Sequence, residues 1–453
     1  MAKVSKRDLL HGNIRKSLIQ MALPLMAFNL VNVLYSYADT YYISRLGELQ
    51  VGAVAVINNI NLCGSAFATG LSAAGMALIS SAMGAGDRRK ASHLATLLFG
   101  LSMIIALLIS AGCTVFARPL LLALKTPEDI LEHAHQYLLG LAPDFLFIYI
   151  LTIFQAIRQS TGDSRSAVVL NIAATIINVL LDPLLIFRFN WGMFGASLAT
   201  TISKMLVCPL ALYGLFTDKQ NICVDFRRYH FDGSILKKIL ITGLPASLGS
   251  FMMEFGFTVM NSFILSYGSI IMSAYGLGNR ISSLYYIPVN ALSAALVPFI
   301  GHAIGAGDNR RAQQCFREAM ILCTEVSLVL IAVGIPLARP LAHLLVGEAS
   351  EALLSNGITY GCFSIGTIFF MCWVNNLLAM FNGSGHTRSS LFINLLRLWL
   401  LRLPLMIFFR DCTDMGPLGI WTAMILSNLF CCLISQIWYS LHFRKLYPVT
   451  KTA

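Results

Sequence analysis

Asp39 stands in the stretch Leu34-Tyr35-Ser36-Tyr37-Ala38-Asp39-Thr40, inside a long apolar segment with no basic residue close before it. Placing a carboxylate at the centre of a membrane helix costs about 2.5–3.5 kcal/mol on insertion scales, so such a residue reads first as part of a transport or ion site. Tyr35, four residues earlier, falls on the same helical face. Asn178 and Asp182 form a second pair at the same spacing, and Thr200 adds another oxygen-bearing side chain. Counted from the expected span ends at 1.5 Å per residue, Asp39, Asp182 and Thr200 all fall in the outer half of the membrane and can be level with one another. Two carboxylates facing each other in a poorly hydrated pocket repel, and burial disfavours ionisation, so the pair can hold a proton near neutral pH. The same hard oxygens suit a small cation such as Na+. The residue types do not choose between H+ and Na+, and the alternative is that both carboxylates cap helix ends or meet headgroup water. No metal beyond Na+ at Asp39 and Asp182, and no cofactor, is expected.

Glu254 is a further acid within an apolar run, and its partner in the first half of the chain would be Val33. A substrate or coupling role and an ion pair with Arg280 or Lys204 are both open to it. Asn58, Asn375 and Asn376 give two other spans unusual polarity, either as cavity lining or as interhelical hydrogen bonds. Arg397 and Arg402 are expected to pair with acids or to snorkel to headgroups. His133 and His135, two residues apart, point in different directions on a helix. No Ser-His-Asp order and no H-E-x-x-H helix occurs, so an enzyme has little to stand on. Eleven cysteines are scattered without a C-x-x-C, which leaves a metal cage or disulfide framework unsupported.

The elements that must position these groups are membrane helices. The chain is 57% apolar and only 12% charged, far from the quarter charged of soluble proteins. About twelve apolar runs are long enough to cross a hydrocarbon layer: 14–42, 51–81, 93–117, 133–160, 164–188, 192–216, 235–265, 270–303, 313–338, 352–382, 388–410 and 416–443. Pro24, Pro245, Pro288 and Pro298 fall inside runs and should bend them. The basic N-terminal stretch lacks a cleavage site behind a short apolar core, so it reads as retained. The net charge of +11 does not indicate nucleic acid, because the basic residues sit between spans rather than on one face. They divide about 22 to 6 between the two sets of connections, which puts both termini in the cytoplasm.

Met83-Gly84-Ala85-Gly86-Asp87 recurs as Ile304-Gly305-Ala306-Gly307-Asp308, displaced by 221, and Leu23-Pro24 recurs as Leu244-Pro245. Thr161-Gly162-Asp163-Ser164-Arg165 returns as Ser384-Gly385-His386-Thr387-Arg388 at 223. Six spans per repeat make the halves parallel, the arrangement in which substrate binds between lobes that rock against each other. The expected organisation is an all-α polytopic membrane protein, with a six-helix lobe over 1–216, a cytoplasmic linker over 217–234 and a second six-helix lobe over 235–453, around a central cavity. The Gly-Ala-Gly-Asp turns lack a phosphate-loop pattern and read as helix-ending turns.

With Leu23-Pro24, Ala38-Asp39-Thr40, the Gly-Ala-Gly-Asp turns, Arg158 to Arg165 and Asn178-Val-Leu-Leu-Asp182-Pro183 in place, the chain resembles the multidrug and toxic compound extrusion (MATE) family along essentially its whole length. The resemblance implies a monomeric antiporter of the cytoplasmic (inner) membrane. It would export small amphipathic or cationic compounds against H+ or Na+ entering at Tyr35, Asp39, Asn178, Asp182 and Thr200. Glu254 resembles an acid of the sodium-coupled NorM branch, but Asn375 and Asn376 stand where the tenth helix of that branch has an acid, so the chain looks closer to the DinF-like branch. A flippase for lipid-linked or polyprenyl-linked precursors is the other transport reading.

Overall fold

A computed structural model of the chain describes residues 6–124, 126–217, 222–228, 231–346 and 350–443. Lys3, Lys125, Lys219, Arg444, Lys445 and Lys451 of the orientation count, and 218–221 and 229–230 of the expected linker, lie outside them. The first half comprises α1 (Lys6–His11), α2 (Ile14–Ser44), α3 (Glu48–Gly84), α4 (Arg88–Val115), α5 (Ala117–Ala123), α6 (Glu128–Leu141), α7 (Asp144–Ser160), α8 (Ser164–Pro183) and α9 (Gly192–Thr217). The second comprises α10 (Gly233–Leu265), α11 (Ser269–Gly305), α12 (Asn309–Val346), α13 (Glu351–Gly366), α14 (Ile368–Gly383), α15 (Thr387–Leu395), α16 (Leu403–Cys412) and α17 (Pro417–Trp438). π-helical segments extend α8 over Leu184–Arg188, join α15 to α16 over Leu396–Arg402, and extend α17 over Tyr439–Phe443. No strand occurs among the described residues.

Ten helices are long and apolar enough to cross a membrane, and two bent pairs bring the number to twelve among the described residues. These pairs, α6 with α7 and α13 with α14, bend by 47° and 46°. The sequence reads each pair as one span, over 133–160 and 352–382, without announcing the bend. The first bend falls at Pro143, which lacks the N–H a continuous helix needs; the second falls at Thr367, with no proline to announce it. Pro24, Pro245, Pro288 and Pro298 instead lie inside unbroken helices. In each Gly-Ala-Gly-Asp turn the second glycine takes a positive φ, +82° at Gly86 and +76° at Gly307. The following aspartate then accepts from the next helix, Asp87 from the Lys90 N–H and Asp308 from the Arg311 N–H. The free amide groups of a helix start favour a carboxylate at that position.

The two lobes meet tightly along α3, from the end of the bundle that carries these turns to its middle. A Cβ on Gly305 would lie 1.9 Å from the Ser81 carbonyl oxygen, one on Gly84 2.2 Å from that of His302, and one on Gly70 2.2 Å from the Ser247 backbone. Hydrogen bonds reinforce this contact, from Ser247 Oγ to the Phe67 carbonyl at 3.1 Å and from His302 Nε2 to that of Ser160 at 2.8 Å. Helices in lipid gain from close packing at small residues. The first half of α2 joins the second lobe as well: Leu18, Met21, Ala22 and Leu25 are buried in one core with α11, α12 and α14. Arg15 of α2 also bridges Glu318 and Glu325 of α12 at 3.2 and 2.6 Å. Of the connection between lobes, Ile222 and Val224 are buried, Asp225 N–H donates to Thr96 Oγ1 at 3.1 Å, and Phe226 packs on Phe99 and Phe216.

Gly305→Val is expected to destabilise the protein by about 1–3 kcal/mol, the usual effect of overfilling a packed interface, and to lower Tm in detergent. Gly276→Ala, where nothing lies within 4 Å, should be neutral or stabilising by up to about 1 kcal/mol. Equal melting of the two variants would show that the contact is not close.

Candidate functional site

Away from the sealed end, the helices part around two cavities. The first, about 610 Å³, lies within the N-terminal lobe and is lined by Tyr35 and Asp39 of α2, Asn58 of α3, Tyr137 of α6, Asn178 of α8, and Thr200 and Lys204 of α9. Asp182 is fully buried at the wall behind Asn178, whose Nδ2 donates to Asp182 Oδ1 at 3.3 Å. Asp39 is close enough to Asp182 for their charges to interact, and Tyr35 is in hydrogen-bonding reach of Thr200. The five residues singled out in the sequence therefore converge. One oxygen of each carboxylate, Asp39 Oδ1 and Asp182 Oδ2, is buried without a hydrogen-bond partner. A buried polar atom without a partner is costly, and a proton or small cation shared between the two would satisfy both. No cluster of three or more His, Cys, Asp or Glu suited to a metal ion occurs among the described residues.

Behind this pair sits one that sequence reading missed. Asp144, 1% exposed at the first turn of α7, accepts from Lys204 Nζ at 2.5 Å. Lys204 is thus committed to Asp144 rather than Glu254. Tyr137, also missed, is 7% exposed and lies within electrostatic reach of Asp39, Asp182 and Asp144. Its repeat partner is Tyr360, a coincidence visible in the sequence.

The second cavity, about 780 Å³, occupies the corresponding place in the C-terminal lobe. Tyr275, Tyr286 and Tyr360, Trp421, Asn279, Asn290, Asn428 and Arg402 are among its lining residues, and Asn32 of α2 lines both cavities. The arginines correct the expectation from sequence. Neither snorkels or meets an acid: both are 7% exposed, near the middle of the span from Thr387 to Cys412. Arg402 donates through Nε to Ser427 Oγ at 3.1 Å and through Nη2 to Asn428 Oδ1 at 2.6 Å. Arg397 contacts the thioethers of Met371 and Met253 at 3.3 and 3.4 Å.

The remaining polar residues divide. Glu254 is half-buried on α10, lines neither cavity and has no ion pair among the described residues. Arg280, its other expected partner, lies over the Tyr37 ring at 5.6 Å. Asn375 donates to Asn290 at 3.0 Å at the edge of the second cavity. Asn376 is fully buried in helix packing, where it accepts from Ser293 Oγ at 2.8 Å.

A family model, MatE, matches residues 24–184 and again 245–408, so that each match covers one repeat. The chain belongs to the MatE family. MatE membership places it among membrane transporters rather than enzymes. It is 30% identical over 423 residues to the FAD transporter of Shewanella oneidensis, covering 88% of this chain and 89% of that one. It is 28% identical to the probable multidrug resistance protein YpnP of Bacillus subtilis, covering 95% and 96%. A solved structure described as the outward-facing conformation of a multidrug resistance MATE family transporter of the MOP superfamily superposes with a TM-score of 0.93, at 22% identity over 99% and 100% of the chains. The twelve-span all-helical fold is thus shared with that solved structure.

Lys204→Met is expected to destabilise by about 3–5 kcal/mol, because it leaves Asp144 buried without its counter-charge. The double variant Asp144→Leu/Lys204→Met should recover most of that loss. Thermal or denaturant unfolding of the four proteins as a double-mutant cycle measures the coupling.

Proposed function

We propose that this MatE protein is a secondary antiporter that exports small amphipathic compounds, driven by H+ or Na+ bound at Asp39 and Asp182. The observation that carries this reading is the pair of orphaned carboxylate oxygens beside Tyr35, Asn178 and Thr200. Such a pair changes its preferred separation when a cation enters, because mutual repulsion becomes attraction to a shared charge. Asp39 rides on α2, which packs against α8 of its own lobe and α11 of the other. A change in the distance between Asp39 and Asp182 is therefore felt at the contact between lobes. One elementary charge entering down 100 mV releases about 2.3 kcal/mol, enough for roughly a fiftyfold solute gradient.

The halves 1–216 and 235–453 would be the moving lobes, with 217–234 as their connection. The transporter would act as a monomer, as the family resemblance implies. The basic bias among connections supports an inner-membrane protein with both termini in the cytoplasm. The absence of an acid at Asn375 and Asn376 supports coupling in the N-terminal lobe, as in the DinF-like branch.

In proteoliposomes with separately imposed H+ and Na+ gradients, one gradient should drive accumulation of a fluorescent amphipathic dye. Asp39→Asn and Asp182→Asn should each reduce that transport at least tenfold while Tm stays within a few degrees of wild type. Undiminished transport by either variant would sink the carboxylate reading.

A further inference from the structure

The two repeats build matching cavities of opposite charge. Tyr137 and Tyr360 occupy equivalent places in them, and Lys204, which lines the first, corresponds in the repeat to Ser427, which accepts from Arg402 beside the second. The first cavity holds Asp39 at its wall and Asp182 behind, with its one lysine neutralised by Asp144. Among the described residues no aspartate or glutamate lines the second. Its charged lining group is Arg402, held only by the neutral oxygens of Ser427 and Asn428. Arg397, close enough to repel it, contacts the thioethers of Met371 and Met253 and leaves Nε buried without a partner. Two guanidinium groups thus stand in the middle of one span with no carboxylate among the groups that act on Arg402.

A second observation points the same way. Arg402 closes the π-helical segment Leu396–Arg402, and π turns inside helices gather at functional sites. Beside it, Tyr275, Tyr360 and Trp421 form a packed aromatic group, with ring centroids 4.5–6.1 Å apart. A guanidinium offers a planar fork for a carboxylate, sulfonate or phosphate, and the rings offer flat apolar surface. Membrane arginines are expected to find a counter-charge. Among the described residues the fold supplies none to Arg402, which leaves that part to a ligand.

We infer that the C-terminal cavity is the substrate's anion subsite, taking compounds that carry an acidic group next to an aromatic ring system, with Arg402 as the group that meets the anion. This rests on the export reading above and narrows its amphipathic class, replacing the cationic preference implied by the family resemblance. It also accounts for the division of charge: cations are held at the carboxylates of one lobe and organic anions at the arginine of the other, and Asn32 borders both spaces.

The test is equilibrium binding to the full-length protein in detergent, read by fluorescence anisotropy with fluorescein and rhodamine 123. The two dyes share a xanthene ring and differ in the sign of their charge at neutral pH. Fluorescein is expected to bind at least tenfold tighter, to weaken at least tenfold in Arg402→Met, and to lie between these in Arg402→Lys. Rhodamine 123 should bind Arg402→Met no worse than wild type. If Arg402→Met does not fold, displacement of fluorescein from wild type by naphthalene sulfonate but not by naphthylmethylamine gives the same answer. Equal or tighter binding of rhodamine 123, or fluorescein binding unmoved by Arg402→Met while Tm falls, would make Arg402 a packing residue and overturn the inference. Arg402-dependent fluorescein binding without gradient-driven transport would leave the subsite standing and refute the export reading. Rhodamine transport without fluorescein binding would do the reverse.

Discussion

A charged side chain in the hydrocarbon layer has no bulk water to turn to, so its charge must be met inside the bundle or by what binds there. Around the two cavities this takes three forms. Asp144 and Lys204 balance each other directly. Arg402 is spread over the hydroxyl of Ser427 and the amide of Asn428. Asp39 and Asp182 are left incompletely balanced, each with one unpartnered oxygen. The first is internal to the bundle, and the last two are the groups proposed above to meet an ion or a substrate.

That distribution also explains how one duplicated scaffold can hold two different sites. The repeats keep what the fold needs: the capped Gly-Ala-Gly-Asp turns, the glycines at the lobe contact, the bent fourth span of each half, and the tyrosine at the corresponding cavity wall. They diverge at the charged positions, where Asp39 is matched by Met260 and Lys204 by Ser427. Backbone geometry is shared because helix packing depends on small residues and caps. Chemistry is free to differ because it depends on a few side chains that face the cavities.

Much of this was legible in the sequence. The span limits, the repeat and the convergence of Tyr35, Asp39, Asn178, Asp182 and Thr200 follow from apolar length and helical spacing, both of which are local properties. Asp144 was not legible because it follows Pro143, where a carboxylate reads as a helix start near an interface; only the bend between α6 and α7 shows that it is buried. The bend at Thr367 carries no residue that announces it. Arg397 and Arg402 were misread because snorkelling is the usual escape for a lone membrane arginine, and the neutral partners that hold Arg402 lie on α17, 25 and 26 residues away. Long-range pairings of this kind leave no periodic signal. Tyr137 did leave one, in its match to Tyr360, but among 15 tyrosines it carried no weight without the cavity.

The connection between lobes looks in sequence like a loose polar tether, yet Val224, Asp225 and Phe226 fasten its middle to α4 and α9. Arg227 and Arg228 in turn donate their N–H groups to Asp225 Oδ1 at 2.9 and 3.1 Å. The connection is therefore part of the first lobe's packing as far as Arg228, and any force that reaches this stretch from the second lobe is passed to α4 and α9 rather than absorbed by slack chain.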